Sequence, residues 1–439
     1  MRILRVTQKI YPDSSGGGAY HVHALSRDQA AMGHDVTLLA VDEGVDEPHV
    51  QSAEGYTVVR YPALASPLGN AVSAGLAQYL AWDDPDVIHA HSHLYFATNL
   101  AALRRRLGGP PLAITNHGLY SQTAPERVFD GYLRTLGRWT FDGADTVFCY
   151  TPTDRDRLRD LGVSADVTVV PNGIDTTRFT PDGPASEVET GGGCPAVRSD
   201  GTAVTETPVR ADGTGDLVGD GVRSGGTDGR SARGPVVLFV GRLVEGKRPA
   251  DAVRAFARAR TTLDAAGDDV PVDGAGDDGS GAAASVGDGN SNGNARLVMV
   301  GDGPLRQDLE DLASELGVSA SVSFLGHLPY DEMPRTYRAA DVLLLPSRAE
   351  GLPRTVLEAL ASATPAVTSA LDQLVPLLGD AGRTVPVGNV DGFATALVEV
   401  LSDERRRARL GRQGRELVAS TYDWASTVER TTERLEELV

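Results

Sequence analysis

The chain has 439 residues, 41% of them hydrophobic, which is too long for one ordinary core and enough apolar material for two. A net charge of −19 argues against a nucleic-acid partner and against broad adhesion to anionic lipid, while leaving room for a local membrane contact. Cys149 and Cys194 are the only cysteines and lack metal-ligand spacing, so neither a disulfide framework nor a thiolate metal site is expected, and a reducing cytosol fits.

Lysine occurs only at Lys9 and Lys247, whereas arginine and acidic residues are abundant. This balance resembles that of proteins from a high-salt cytosol, with an ordinary acidic protein of a GC-rich organism as the alternative. No apolar run approaches the ~18 residues of a membrane span. Met1 leads straight into a strand pattern with no apolar leader, so a cytoplasmic protein is expected.

In chain order, the first strand pattern is followed by a glycine run, Gly16, Gly17 and Gly18, which opens a helix reaching Gly33 and His34. Glycine there lets backbone approach a ligand and exposes N–H groups at a positive helix end, or simply makes a tight turn. Apolar runs at residues 36–40, 87–90, 113–115, 146–148 and 167–170 read as short buried strands. His89, His91 and His93 alternate, and on a strand would share one face. With no acidic or cysteine partner at suitable spacing, packing or pocket lining is expected there rather than a metal. His117 and Gly118 follow a strand end, where a histidine reaches a substrate hydroxyl or serves as a packing residue. Thr151, Pro152 and Asp154 carry the N-cap, first-position proline and first-turn acid of a helix start.

Residues 184–234 and about 265–294 consist mainly of Gly, Asp, Ser, Ala and Thr, too poor in large apolar side chains to offset ordering entropy, and read as disordered insertions. Between and after them come strand patterns at 236–240, 296–300, 322–325, 342–345 and 366–368. Two series of short strands separated by amphipathic stretches predict an α/β chain of two doubly wound, Rossmann-like domains, residues 1–180 and 235–421. Tyr422, Asp423 and Trp424 then start an amphipathic helix over 422–439, either crossing back toward the first domain or ending as a terminal cap.

In such sheets ligands bind at the carboxyl ends of strands. The run at 236–240 ends in Gly241, Arg242 and Leu243 with Lys247 close behind, two cations that form a phosphate clamp if a phosphate is present. The run at 296–300 leads into Gly301, Asp302, Gly303 and Pro304. The run at 342–345 leads to Glu350, Gly351, Leu352, Pro353 and Arg354, with Pro353 suited to the first helical position and Glu358 about a turn and a half further on.

The ordered set resembles the group 1 glycosyltransferases, family four of the GT-B class. Its members here are Gly17 and Gly18; His117 and Gly118; Pro171, Asn172, Gly173, Ile174 and Asp175; Gly241, Arg242 and Leu243 with Lys247; Gly301, Asp302, Gly303 and Pro304; Phe324, Leu325 and Gly326; and Glu350 and Glu358 with seven residues between. The resemblance implies a GT-B fold and a retaining, metal-independent hexosyltransferase with a nucleotide-diphosphate sugar as substrate and no cofactor. It also implies that Arg242 and Lys247 hold the diphosphate with amides near Gly351, Leu352 and Arg354, Glu350 the sugar hydroxyls and Glu358 the ribose diol. Backbone at Gly326, His327 and Leu328 would meet the base. Gly303 would allow close approach, and Gly17, Gly18 and His117 would face the cleft from the first domain. His117, Arg242, Lys247 and Glu350 are then the catalytic group.

Charge fits this reading: a departing nucleoside diphosphate carries roughly −2 to −3, against Arg242, Lys247 and a helix end worth about +0.5. The expected acceptor is a glycan or lipid-linked glycan at the inner membrane face, with a soluble small molecule second. Departures from the family occur at Ala361, Ser362 and Ala363 and at Leu371, Asp372 and Gln373, which removes the carry-over near residues 370–376. The rival readings are a noncatalytic nucleotide-sugar-binding protein and a GT-B epimerase. A phosphorylase needs a lysine for pyridoxal, and only Lys9 and Lys247 are available.

Overall fold

Runs of Val, Ile and Leu a few residues long cannot bury both faces alone, and here they assemble into two open sheets flanked by helices. The computed structural model describes residues 1–13, 16–120, 126–185, 234–268 and 295–439. The first unit contains β1 (Arg2–Val6), α1 (Gly17–Ala31), β2 (Asp35–Asp42), β3 (His49–Ala53), β4 (Tyr56–Pro62), α2 (Ala74–Trp82) and β5 (Val87–His91). It continues with α3 (Phe96–Arg106), β6 (Leu112–Thr115), α4 (Glu126–Tyr132), α5 (Arg138–Phe141), β7 (Thr146–Cys149), α6 (Pro152–Asp160) and β8 (Asp166–Val169). The second unit begins with β9 (Val236–Val240), α7 (Pro249–Asp268), β10 (Arg296–Val300), α8 (Arg306–Glu315), β11 (Val322–Gly326) and α9 (Met333–Ala339). Then follow β12 (Val342–Leu345), α10 (Arg354–Ala361), β13 (Ala366–Ser369), α11 (Leu374–Leu378), β14 (Gly382–Val385), α12 (Val390–Leu401), α13 (Glu404–Thr421) and α14 (Trp424–Glu436).

The first sheet runs β3-β4-β2-β1-β5-β6-β7-β8 and the second β11-β10-β9-β12-β13-β14. All neighbours are parallel except the antiparallel β3–β4 pair. Strand order reverses between β1 and β5 in one sheet and between β9 and β12 in the other, so each sheet has a crevice at the carboxyl ends of those strands. Apolar cores fill both faces of each sheet, with Phe239, Phe256 and Phe393 on one side of the second and Leu343, Leu345 and Leu357 on the other.

Three strands, β3, β4 and β14, lie where the sequence reading placed none. β3 is an exposed edge whose only large apolar residue is Val50. In β4 the pattern is broken by Arg60, buried beside Asp42 and Asp13. β14 reads Gly, Arg, Thr, Val, too short and mixed to signal a strand. The sequence pattern places the start of the second insertion near 265, and α7 continues through Asp268; residues 269–294 lie outside the described residues. Of the first, Pro184 is placed, its carbonyl accepting from Arg338 Nε at 2.8 Å, while residues 186–233 lie outside the described residues, Cys194 among them. Thr151 caps α6 by accepting from the Asp154 amide.

Two chain segments run side by side between the units. Ile174 donates its amide to Tyr422 at 2.7 Å and accepts from Trp424 at 3.0 Å. α14 then lies against α1: Trp424 packs with Ala24, Leu25 and Val428, and its indole N–H donates to Asp28 at 2.5 Å. Further along, Leu435 enters the core formed by Ile3, Val36 and Val87 of the first sheet.

Candidate active site

The reversal between β9 and β12 brings two loops together. After β9, Gly241, Arg242 and Leu243 lead into a single 3₁₀ turn, Glu245–Lys247. After β12, the loop through Ser347 and Glu350 leads to α10. The amide of Arg348 donates to the Gly246 carbonyl at 2.9 Å, lacing the loops. Lys247 Nζ consequently stands 2.5 Å from Glu350 Oε1, with the Glu350 side chain 3% and that of Lys247 14% exposed. Gln373, from the segment where the sequence departs from the family, donates its side-chain amide to the Glu350 carbonyl.

The glycines beside β9 and β10 are explained by backbone packing. A Cβ on Gly301, whose φ is +122°, would stand 2.1 Å from the Gly241 carbonyl oxygen, and one on Gly303 would stand 2.5 Å from that of Leu243. Arg242 is exposed at the end of β9, with its charge acting on Tyr120.

From the first unit, the loop after β6 reaches the same place. Gly351 must lack a side chain because a Cβ there would stand 2.9 Å from the His117 carbonyl oxygen. Its amide donates to the Tyr120 hydroxyl, which burial, then the nearby charge of Glu350, pushes well above the usual phenol range. α1 opens opposite, with Gly16 as N-cap and the Gly17 and Gly18 amides in the first turn, where no intrahelical acceptor exists. Gly18 is near His117: a Cβ would stand 3.6 Å from His117 Nδ1.

The His117 ring, expected either to reach a substrate hydroxyl or to serve in packing, has protein partners at both nitrogens. Its Nδ1 pairs with the Tyr150 hydroxyl at 2.8 Å and its Nε2 with His91 Nδ1 at 3.2 Å, so both ring nitrogens already face protein partners. Burial pulls its pKa down to about 4. The three alternating histidines divide. His89 and His91 share a face of β5 with rings 4.4 Å apart, but Ser92 takes a left-handed φ of 68° and ends the alternation. His93 therefore packs among Phe129, Tyr132 and Phe141. Since the Arg5 guanidinium can only donate, His89 Nδ1 accepts from it at 3.4 Å and His89 Nε2–H donates to Thr115 at 2.7 Å. Among the described residues no group of three or more His, Cys, Asp or Glu side chains could hold a metal ion.

A second cluster surrounds Glu358, 3% exposed in α10. Its Oε1 accepts from the Tyr330 hydroxyl at 2.9 Å and its Oε2 from Tyr337 at 2.8 Å, while Arg354 Nε lies 3.6 Å from Oε1. Both carboxylate oxygens thus have protein donors, a competition for the ribose role that sequence could not show. Pro353 takes extended backbone as N-cap, and Arg354 is the first residue of α10; the expected start was one residue earlier. Gly326, with φ +67°, gives its carbonyl to the Gly301 amide at 2.7 Å, His327 is exposed, and Leu328 packs at the margin of the second core. Leu352 is buried in that core. Tyr120, Tyr330, Tyr337, Gln373 and the Arg354 side chain were missed as site residues. Tyr120, Tyr330 and Arg354 lie within four residues of His117, Gly326 and Glu350, whereas Tyr337 and Gln373 carry no local signal.

Two family models match the chain in the order of its two sheets: Glycosyltransferase Family 4 over residues 15–178 and Glycosyl transferases group 1 over residues 228–417. The chain belongs to the group 1, family four glycosyltransferases. As such it is an enzyme that moves a sugar from a nucleotide sugar. This glycosyltransferase is 27% identical over 436 residues to a GDP-mannose-dependent alpha-(1-6)-phosphatidylinositol monomannoside mannosyltransferase of Mycobacterium tuberculosis, covering 96% of this chain and 95% of the relative. A glycogen synthase of the same species is 26% identical, with 99% and 94% covered. A D-inositol 3-phosphate glycosyltransferase of Salinispora tropica is 27% identical, with 94% and 79% covered. The fold is GT-B. Sucrose-phosphate synthase from Thermosynechococcus elongatus is similar with a TM-score of 0.71 at 19% identity, covering 100% of this chain and 98% of that one. Anabaena HepE in complex with UDP and glucose gives 0.68 at 15%, with both chains covered fully. No helix among the described residues is long and apolar enough to cross a membrane.

Proposed function

We propose that this glycosyltransferase is a retaining, metal-independent hexosyltransferase that works on a glycan or lipid-linked acceptor in cell-surface glycan or glycolipid synthesis, in the cytoplasm with peripheral contact at the inner membrane face. The observation that carries the reading is the Lys247–Glu350 pair at the reversal between β9 and β12, beside the start of α10. Glu350 grips hydroxyls of the sugar, and Lys247, Arg242 and the α10 amides meet the diphosphate. Because Lys247 is paired with a carboxylate, the local positive charge is one unit smaller than a count of the two cations and the helix end suggests. Stabilisation of the leaving group therefore leans on Arg242 and oriented amides.

In the retaining step the acceptor oxygen attacks C1 on the face that the diphosphate leaves. The C1–O bond to phosphate breaks, the new C1–O bond forms, and the acceptor proton passes to a diphosphate oxygen. Support for the acceptor class comes from the relatives, whose names cite a phosphatidylinositol monomannoside and an inositol phosphate.

The test is a panel of uridine and guanosine diphosphate sugars in high salt, scored by nucleoside diphosphate release with and without a lipid extract, then mass analysis of the product and its anomeric configuration. Acceptor-dependent release with a retained anomer is expected. Donor binding without release would leave a noncatalytic binder instead, and inversion would overturn the mechanism.

A further inference from the structure

The guanidinium of Arg354, whose Nε lies 3.6 Å from Glu358 Oε1, also bonds across the two units. It begins α10 and is 7% exposed. Nη1 donates to Asn172 Oδ1 and to the Gly173 carbonyl, each at 3.1 Å, and Nη2 donates to the Tyr330 hydroxyl at 3.0 Å. The cation also lies 5.2 Å from the ring of Tyr20 and 5.9 Å from that of Trp424. Asn172 and Gly173 lie on one crossing segment, Trp424 on the other, and Tyr20 on α1. Only a planar fork with several donors can serve these partners at once, which a lysine cannot do. The rings of Tyr20 and Tyr330 meet beside it, tilted by 39° with centroids 3.9 Å apart, one ring from each unit.

Gly17 supplies an independent observation. A Cβ there would stand 2.9 Å from Arg354 Cδ and 3.3 Å from Cγ. A free arginine would swing aside, but this one is pinned at its head by three hydrogen bonds and at its base by the helix. The missing side chain at Gly17 is thus the space that seats the Arg354 stem.

We propose that Arg354 is a positioning residue that latches the two units together over the donor, with Gly17 as its seat. The proposal rests on the donor reading above. Arg354 does not touch the reacting atoms; it governs which nucleophile reaches C1. When the latch loosens, water takes the acceptor's place: the C1–O bond to the diphosphate breaks, the water oxygen bonds C1, its proton passes to the diphosphate, and free sugar results.

Nucleoside diphosphate release is measured with and without acceptor for the wild type, Arg354→Lys, Arg354→Gln, Gly17→Ala and the Gly17→Ala/Arg354→Gln double variant, with thermal midpoints for each. The ratio of hydrolysis to transfer is expected to rise about tenfold in every single variant that folds. Gly17→Ala should add nothing in the Arg354→Gln background. An unchanged ratio in the folded single variants overturns the proposal, as does a full additional effect of Gly17→Ala in the double variant, which would place Gly17 on the donor itself. A wild type that turns over no donor sinks the donor reading. Small-angle scattering then tests the latch alone: a larger radius of gyration for Arg354→Gln supports it, and an identical one refutes it.

Discussion

Lys247 Nζ lies 2.5 Å from Glu350 Oε1, and the carboxylate of that pair is nearly enclosed. Removing the cation alone leaves a buried charge without its partner, which costs about 3 kcal/mol. Lys247→Ala should therefore lower both the unfolding free energy and turnover, the latter by a factor on the order of 10² or more. Lys247→Met combined with Glu350→Gln should recover most of the stability and none of the activity. Chemical denaturation alongside donor turnover separates the two effects; a double variant as unstable as Lys247→Ala would refute the pairing.

Acid sensitivity should begin early. Burial holds His21, His89 and His91 well below the ordinary histidine value of 6.5, His117 at about 4 and His93 at about 3. The unfolded chain takes these protons near pH 6.5, the folded one only far lower. Below about pH 6.5 the unfolded state binds more protons, and stability falls as pH falls, by up to about 1.4 kcal/mol per pH unit for each histidine. Denaturant midpoints from pH 7.5 to 5 should drop steadily, before ordinary carboxylates titrate. A flat profile over that range would mean the imidazoles are not enclosed as described.

Gly301→Ala joins two penalties, a left-handed φ of 122° and a Cβ 2.1 Å from the Gly241 carbonyl oxygen. A loss of at least about 3 kcal/mol is expected, from strain that neither backbone can relieve. Gly18→Ala, with its nearest foreign atom at 3.6 Å, is the control and should change the thermal midpoint far less. Equal midpoints for the two variants would refute the close approach of the β9 and β10 loops.

Much of this was legible in the sequence because buried parallel strands announce themselves as short apolar runs and because the site residues follow strand ends. The run ending before Arg242 and the one ending before Pro346 pair with a common register, which puts Lys247 and Glu350 together by topology alone. What escaped was set by tertiary contact. Arg60 looks like a strand breaker until Asp42 and Asp13 surround it. His93 follows the alternation of His89 and His91 in sequence, and one left-handed residue, Ser92, sends it elsewhere. The tyrosines that hold Glu358 stand 28 and 21 residues before it, a separation no local pattern encodes.

Trp424→Ala should destabilise the first unit although it lies far along the chain. The indole packs on Ala24 and Leu25 and bonds Asp28, so the cavity and lost bond together cost about 3–5 kcal/mol. Hydrogen exchange should show the amides of α1 losing protection while those of β9 and β10 keep theirs. Uniform loss, or none in α1, would argue against this packing.

The return of α14 to the first sheet has a consequence for synthesis. Leu435 sits in the same core as Ile3, so the half of the protein made first lacks one of its walls until nearly the whole described chain has left the ribosome. Folding by successive completed halves is therefore closed to this molecule. Contacts spanning more than 400 residues, such as Gln29 with Thr432, make the final docking a slow, long-range step, during which the nascent first half is the species most exposed to aggregation.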